Sequence, residues 1–300
     1  MGLADRIFKA TRDRRIRLTN GGELEITFLG VGAAFSTTMF QSNILVVKGR
    51  THVLIDLGTR GAVALREGGL RVLDIENLLL THSHSDHIGG VEEWCLTGRY
   101  VVPSLRKIER GEYKPTLVTT TDYIHTLWDC SLRGGLEHSE ELGRGRRLGF
   151  FDYVNPRFAQ YVQTCGRPEY VATLGEGADA IDLKLMRTNH IPDSSRGWQT
   201  AFYSVGVLVD GRILVTGDTM FDAELIEDFG AGAEAVFHDC QGFKGGVHAS
   251  YEELMGLPDE LKRKTLLYHL TDGLPERRKP EADGFAGFAV DFRTGTYVFG

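Results

Sequence analysis

Apolar residues follow two different periods along the chain, and these periods predict alternating strands and helices. Short β-branched runs bounded by glycine are typical of strands. Strands are predicted over 23–29, 43–48, 51–56, 77–81, 181–187, 201–209, 212–216, 233–238, 265–269 and 285–299. Helical spacing is clearest over 60–67, 220–229 and 250–257, each between predicted strands. The pattern predicts an α/β or α+β fold whose sheets are covered by helices.

Two of the predicted connections are tight hairpins. One is centred on Lys48-Gly49-Arg50 and the other on Asp210-Gly211. Asp-Gly is a strong signal for a two-residue turn, because both residues accept a positive φ angle. The strands on either side of each turn are therefore expected to pair antiparallel.

The segment 101–177 breaks this rhythm by mixing basic and aromatic side chains without a clear period. We interpret it as a long insertion over one end of the sheet core and not as an independent domain. The division expected from the sequence is a single domain over 1–300.

Composition places the chain among soluble globular proteins, since 42% of its 300 residues are hydrophobic and 25% are charged. The apolar runs are far shorter than the roughly 20 residues of a membrane span, so no membrane partner is expected. The four cysteines stand singly without a CxxC pair, which favours reduced thiols and a cytoplasmic location.

The charge balance limits the partners. The formal net charge is -7, from 34 Lys and Arg against 41 Asp and Glu, so bulk charge does not attract a polyanion. A basic stretch covers 5–17. We interpret it as a solvated arm or a dimer contact. Together with the exposed aromatic insertion, it predicts a homodimer whose partner covers the mouth of the pocket.

The densest chemistry lies in the segment 81–90, THSHSDHIGG, at the end of a predicted strand. His82 and His84 project to one side of an extended chain, and the following turn brings Asp86 and His87 towards a second point. Such clustering suits one metal held by two imidazoles, beside another held by a carboxylate and an imidazole.

The pattern His82-x-His84-x-Asp86-His87 resembles the signature of the metallo-β-lactamase superfamily. The resemblance implies a four-layer αββα sandwich with the insertion near its active-site edge. It extends to a glycine loop at 28–32, to Asp56, and to three later ligand positions, namely His190, Asp218 and His269. Taken singly, Asp218 reads equally well as a helix cap and the two histidines as core residues.

The resemblance implies two metal ions, zinc or else manganese, with a bridging hydroxide. One ion is expected at His82, His84 and His190 and the other at Asp86, His87 and His269, with Asp218 shared. Asp86 counts among the expected catalytic residues as well as the ligands. Such a centre suits attack on a phosphodiester, and also on a lactone or thioester.

His248 precedes His269 by 21 positions. This spacing resembles the superfamily's phosphodiesterase branch, in which a non-ligand histidine lies about twenty residues before the last ligand, and it favours phosphoryl chemistry. That branch includes the tRNA 3′-processing endonucleases. By resemblance, His248 would protonate the leaving alkoxide or neutralise the phosphorane, and Asp239 would hold its imidazole in the required tautomer. The plainer interpretation is that His248 only flanks the helix at 250–257.

The substrate expected from the resemblance is a small nucleotide. The Gly/Pro-rich arm of the tRNA-processing enzymes has no counterpart here, whereas 30–36 and 190–195 resemble cyclic-nucleotide phosphodiesterases, including phage enzymes of the anti-Pycsar type. Ser194 and Ser195 would donate to a phosphate, unless they only form a surface turn. The alternatives are an endonuclease that trims RNA 3′ ends, a lactone or other carbonyl hydrolase, and a non-catalytic binding module.

Overall fold

The structure is a computed structural model that describes residues 2–300. Across that range the strands form two eight-stranded sheets and one two-stranded hairpin. In chain order the strands are β1 (Phe8–Ala10), β2 (Leu24–Phe28), β3 (Ile44–Lys48), β4 (Thr51–Ile55), β5 (Asn77–Leu79), β6 (Thr116–Thr119), β7 (Glu141–Leu142), β8 (Arg146–Arg147), β9 (Asn155–Phe158), β10 (Gln160–Val162), β11 (Glu169–Leu174), β12 (Ile181–Arg187), β13 (Val205–Val209), β14 (Ile213–Val215), β15 (Ala235–Asp239), β16 (Thr265–Tyr268), β17 (Gly287–Phe288) and β18 (Gly295–Phe299).

The helices are short. They are α1 (Leu3–Ile7), α2 (Gly61–Glu67), α3 (Ser85–Ile88), α4 (Val91–Tyr100), α5 (Val102–Arg106), α6 (Thr121–His125), α7 (Arg133–Leu136), α8 (Phe150–Tyr153), α9 (Ala223–Leu225), α10 (Tyr251–Leu254), α11 (Asp259–Lys262) and α12 (Leu274–Arg277). Two π-helical segments, Thr126–Leu132 and Ile226–Gly230, and three 3-10 turns complete the set within residues 2–300. In that same part of the chain, no helix combines the length and the apolar character needed to cross a membrane.

The two large sheets share one design. The first has the order β1-β18-β2-β3-β4-β5-β6-β9 and the second β10-β11-β12-β13-β14-β15-β16-β17. In each sheet the first five strands pair antiparallel and the remaining strands pair parallel. The parallel strands end at one edge, so the loops that leave them meet there.

Alternation of side chains along each strand builds the layers. In β3, Ile44 and Val46 lie in the core between the two sheets, whereas Leu45 and Val47 lie in a second core that includes residues of α2 and α4. In β15, Val236 lies in a third cluster with residues of α9 and the Ile226–Gly230 segment. Because the side-chain period of a strand is two, both faces of each sheet are buried. The result is the expected four-layer αββα sandwich.

Both predicted hairpins form. β3 pairs with β4 and β13 with β14, each antiparallel. Asp210 and Gly211 have φ angles of 51° and 67°, which a primed two-residue turn requires.

The prediction of one long strand over 285–299 is wrong. This segment contains two strands, β17 and β18, which belong to different sheets. A turn closed by hydrogen bonds from the amides of Thr294 and Gly295 to the carbonyl of Asp291 separates them. The chain thus crosses from one sheet to the other within an unbroken β-prone sequence.

Residues 101–177 contribute to both sheets, since β6 and β9 belong to the first and β10 and β11 to the second. Between β6 and β9, α6, α7, α8 and the β7–β8 hairpin pack on the outer face of the first sheet. The insertion over 101–177 stays a prediction. The basic N-terminal stretch is not free throughout, because β1 pairs with β18. The division into one domain over 1–300 stays a prediction.

Glu169 at the start of β11 is a buried charge with several donors. Its side chain is 0% exposed, and the Lys184 ammonium lies 2.8 Å away. The Thr164 hydroxyl and amide and the Cys165 amide also donate to it. Burial raises the pKa of Glu169, but Lys184 and Thr164 outweigh burial and lower that pKa to about 2.

We predict that Glu169→Gln lowers the free energy of unfolding by about 1–3 kcal/mol at pH 7. A carboxyl with a depressed folded pKa stabilises above its unfolded pKa of about 4.3. The gap between wild type and variant should therefore shrink as the pH falls from about 4.3 towards about 2. Urea unfolding across this range measures it, with the exposed Glu176→Gln as control. If the difference in unfolding free energy between wild type and Glu169→Gln stayed the same at low pH, the depressed pKa of Glu169 would be contradicted.

Candidate metal centre

The candidate ligands leave the ends of strands in both sheets. β5 leads into extended chain and then into α3, and β12, β14 and β16 each lead into a loop. The seven residues carried there are His82, His84, Asp86, His87, His190, Asp218 and His269. The strand ends place these side chains at one edge, and the sheets fix their positions.

The seven residues form two sets of four that share Asp218. The first ligand set is His82, His84, His190 and Asp218, and the second ligand set is Asp86, His87, Asp218 and His269. Within each set all ligand atoms lie within 4.8 Å of one another. The structure therefore brings the predicted residues together in the predicted grouping.

One oxygen of Asp218 lies at the centre. Its Oδ2 is 3.1 Å from His87 Nε2 and 3.5 Å from His269 Nε2, and 3.8 Å from His190 Nε2 and 3.9 Å from His82 Nε2. Ligand atoms at about 2.0–2.1 Å from a tetrahedral zinc ion are separated by about 3.3 Å. Burial raises the pKa of Asp218, but His269 and His87 outweigh burial and hold that pKa well below its usual range.

Unsatisfied polar atoms show that this pocket suits cations. Among residues 2–300, His82 Nε2 and Asp218 Oδ1 are buried without a hydrogen-bond partner. Leaving such atoms unpaired is costly. Burial, followed by the neighbouring His87, lowers the pKa of His82 well below its usual value. This lowered pKa favours the neutral imidazole, which has a lone pair to offer a metal.

The surroundings of His87 indicate that the second ligand set also suits a cation. Its Nδ1–H donates to Asp56 Oδ2 at 2.6 Å, so Nε2 is the nitrogen that faces Asp218 and Asp86, at 3.1 and 3.2 Å. A lone pair opposite two carboxylates is unfavourable unless a proton or a cation lies between them. Imidazole and carboxylate donors are those that zinc and manganese accept.

Asp56 fixes His87 from behind. Its carboxylate also accepts bonds from the Thr81 amide and hydroxyl, both at 2.8 Å. Its backbone has a φ of 65°, an uncommon conformation for an aspartate. Thr81 directly precedes His82 but was not among the residues predicted for the site.

His190 is oriented by a main-chain carbonyl. Its Nδ1–H donates to the Val247 oxygen at 2.8 Å, which leaves Nε2 for a metal, 3.1 Å from His84 Nδ1. Burial lowers the pKa of His190 to about 4. Because a backbone carbonyl has no residue signature, this contact had no signal in the sequence. It joins the His190 loop to the residue before His248.

His248 and Asp239 form a pair beside the two ligand sets. His248 Nδ1–H donates to Asp239 Oδ2 at 2.8 Å, and the Thr219 amide donates to the same oxygen at 3.2 Å. The His248 ring stacks on His269 with centroids 4.6 Å apart. Its side chain is 18% exposed and that of Asp239 is 0% exposed. His248 therefore lines the site and Asp239 supports it from the interior.

The two serines and His238 lie outside both ligand sets. Ser195 Oγ donates to the Gly197 carbonyl at 3.0 Å and lies 2.9 Å from Thr200 Oγ1, so its own turn engages it. Ser194 is exposed on the same loop. Their contact with a substrate stays a prediction. His238 is buried and donates through Nδ1 to the carbonyl of Asp239, which suits a structural role.

Comparison with known proteins gives the family. The family model described as anti-Pycsar protein Apyc1 matches residues 24–294. The chain belongs to the Apyc1 family of anti-Pycsar proteins. The Apyc1 of Bacillus phage BSP38 is 32% identical over 256 residues, which cover 84% of this chain and 91% of that relative.

Solved structures agree on the fold. The metallo-β-lactamase fold protein YhfI from Bacillus subtilis aligns with a TM-score of 0.62 at 15% identity. The alignment covers 93% of this chain and 100% of YhfI. A diphosphatase of the PhnP family aligns with a TM-score of 0.61 at 14% identity, over 92% of this chain and 98% of that one. This Apyc1 family member is a metal-dependent hydrolase, and its fold is the metallo-β-lactamase fold.

We predict that metal removal destabilises the folded chain, because the buried donors lose their common partner. Zinc added to chelator-treated protein should raise the Tm, and the rise should grow with zinc concentration as expected for a ligand of the folded state. Asp218→Ala should lose most of this rise.

Differential scanning calorimetry measures the effect. His125→Ala is the control, since its side chain is 86% exposed and lies outside both ligand sets. Equal zinc responses in wild type and Asp218→Ala would argue against Asp218 as the shared ligand.

Proposed function

We propose that this protein uses two zinc ions to hydrolyse the phosphodiester of a cyclic or other small nucleotide. The observation that carries the proposal is the pair of ligand sets that share Asp218, with His248 beside them. His248 and Asp239 each have one atom within 4.8 Å of Asp218 and His269. This arrangement supports a reaction that needs both stabilisation of negative charge and a proton for a leaving group.

The first and second ligand sets would each hold one ion, with manganese as the alternative to zinc. When bound, such ions lower the pKa of water towards neutrality and neutralise charge on phosphate oxygens. The chain's own part is orientation. Asp56 holds the His87 ring and the Val247 carbonyl holds the His190 ring, so that each presents Nε2 to the site.

His248 would hold the proton for the leaving oxygen. Since its Nδ1–H is engaged by Asp239, Nε2 is the nitrogen free to face a substrate. Asp239 would keep this tautomer and stabilise the imidazolium form. Asp86 would help to hold the metal ion of the second ligand set, because its Oδ2 lies 3.3 Å from His269 Nε2.

The relatives support a cyclic nucleotide as the substrate class. They are anti-Pycsar proteins, a name for proteins that degrade cyclic-nucleotide signals. The net charge of -7 is unfavourable for gripping the many phosphates of an RNA. Ser194 lies on an exposed loop next to His190, where it would reach a phosphate oxygen.

A panel of substrates tests this assignment. The same metal-loaded protein would be assayed on four kinds of substrate: cyclic mononucleotides, bis(p-nitrophenyl) phosphate, a precursor tRNA and a lactone. The proposal expects turnover of the cyclic mononucleotides and of the activated diester. Turnover of only the precursor tRNA would support the RNA 3′-end endonuclease instead, and turnover of only the lactone would support a carbonyl hydrolase.

We predict that His248→Ala retains its metal content and loses roughly 10²- to 10⁴-fold in rate on a cyclic nucleotide, the usual cost of a lost general acid. The loss should be much smaller on bis(p-nitrophenyl) phosphate, because p-nitrophenolate leaves without protonation. Elemental analysis and initial rates on both substrates measure this. His84→Ala is the contrast, since it should lose metal and activity together.

Equal losses on both substrates with metal retained would show that His248 stabilises phosphorane charge and does not protonate the leaving group. Loss of metal from His248→Ala would place it among the ligands and would contradict the proposed role.

We also propose a homodimer. Phe151 in α8 and Tyr161 in the edge strand β10 are 57% and 59% exposed. Exposed aromatic side chains favour an interface. Sedimentation at micromolar concentration should give twice the 33.3 kDa chain mass, and Tyr161→Asp should weaken the association. A fully active wild-type monomer would refute this proposal.

A further inference from the structure

Ser83 separates two residues of the first ligand set and faces away from them. His84 has extended backbone angles, with φ -70° and ψ 150°. Alternate side chains of extended chain point to opposite sides, so His82 and His84 share a side and Ser83 takes the other. The Ser83 hydroxyl lies 2.8 Å from the hydroxyl of Tyr123. This hydrogen bond holds the His82-Ser83-His84 segment from behind.

Tyr123 is itself held rigidly. It is 1% exposed, and its ring stacks on Tyr203 with centroids 4.6 Å apart and an interplanar angle of 8°. Thr120 joins the two tyrosines, because its hydroxyl donates to the Tyr203 oxygen at 2.9 Å and accepts from the Tyr123 amide at 3.3 Å. The hydroxyl that meets Ser83 is therefore fixed in place.

The same cluster holds the loop that carries His190. Tyr203 lies near the end of this loop, between β12 and β13. The Arg187 guanidinium at the end of β12 lies 5.2 Å from the centroid of the Tyr203 ring. Arg187 Nη2 also donates to the carbonyls of Ala201 and Phe202, at 3.1 and 3.0 Å. Both loops that supply histidines to the first ligand set thus rest on one stack.

The second ligand set has a different support. His87 is held by Asp56, and Asp86 by contacts to His87 and His269. Within residues 2–300, the side-chain hydrogen bonds of Tyr123 and Tyr203 go to Ser83 and Thr120 and not to members of this set. Thr81 contributes to both supports, because its hydroxyl donates to Asp56 and lies 3.1 Å from His82 Nδ1. The tyrosine stack, in contrast, bonds to the segment of the first set.

We propose that Tyr123 is a positioning residue for the first ligand set alone, acting through Ser83 and through its stack with Tyr203. The inference rests on the proposed two-metal centre. Residues that hold metal ligands in place affect metal affinity by about 10–100-fold. Tyr123→Phe keeps the ring and removes only the hydroxyl, so it should weaken one of the two bound ions and leave the other unchanged.

Zinc affinities measured by competition with a chelator test this directly. In the otherwise wild-type chain, Tyr123→Phe should lower one of the two affinities by about 10–100-fold. The loss should persist in a His269→Ala background, where the second ligand set is disabled, and should disappear in a His84→Ala background, where the first is disabled. Ser83→Ala should reproduce the loss, and adding Tyr123→Phe to it should cause little more, because both changes remove one bond.

Tyr153→Phe is the matched control. Tyr153 is also 1% exposed, and its hydroxyl donates to the Leu136 carbonyl at 2.6 Å. Both variants should lose similar stability, whereas only Tyr123→Phe should change a zinc affinity.

Two unchanged affinities in Tyr123→Phe, or equal weakening of both, would overturn the inference. Such a result leaves the proposed function standing if the wild type binds two zinc ions and hydrolyses cyclic nucleotides. If the wild-type protein bound a single zinc ion, both the proposed function and this inference would be contradicted.

Discussion

The charges packed around Asp218 set the strictest requirement on this structure. Its buried carboxylate lies among the imidazoles of both ligand sets and close to the carboxylate of Asp86. Groups of this kind are costly in a dry interior unless each finds a partner. Among the unpartnered buried atoms of residues 2–300 are His82 Nε2 and Asp218 Oδ1, which cations would satisfy. The fold must therefore keep these groups close together, although each of them loses favourable hydration when it is buried.

The sandwich meets this requirement through its strand ends. Both sheets change from antiparallel to parallel pairing, and the loops that leave the parallel strands carry most of the ligands. Close packing of these loops imposes local demands. A Cβ atom at Gly58 would lie 2.0 Å from the Asp86 carbonyl oxygen, and Asp56 and His269 adopt φ angles of 65° and 57°. Such conformations persist where the surrounding structure enforces them.

Local patterns in the sequence predicted a large part of this arrangement. The histidine-rich segment after β5 carries its own signal, and Asp218 and His269 follow strands whose apolar runs are easily recognised. The pairing of His248 with Asp239, expected from resemblance, is present as a 2.8 Å contact. Each of these features depends on residues close together in the chain or on a spacing shared with a family.

Features that depend on distant contacts were missed. The Val247 carbonyl that orients His190 has no side chain to recognise, and the bond of Tyr123 to Ser83 spans 40 positions. The strand predicted over 285–299 failed because β propensity does not show which sheet a segment joins. The segment 101–177 had no clear period because its strands are divided between the two sheets and separated by short helices.

Anomalous diffraction from crystals of the metal-loaded protein tests the central claim most directly. Data collected on both sides of the zinc edge should show two peaks per chain, one within each ligand set, with the Asp218 carboxylate between them. A single peak, or two peaks of which neither lies beside Asp218, would contradict the account of a centre organised by this shared carboxylate.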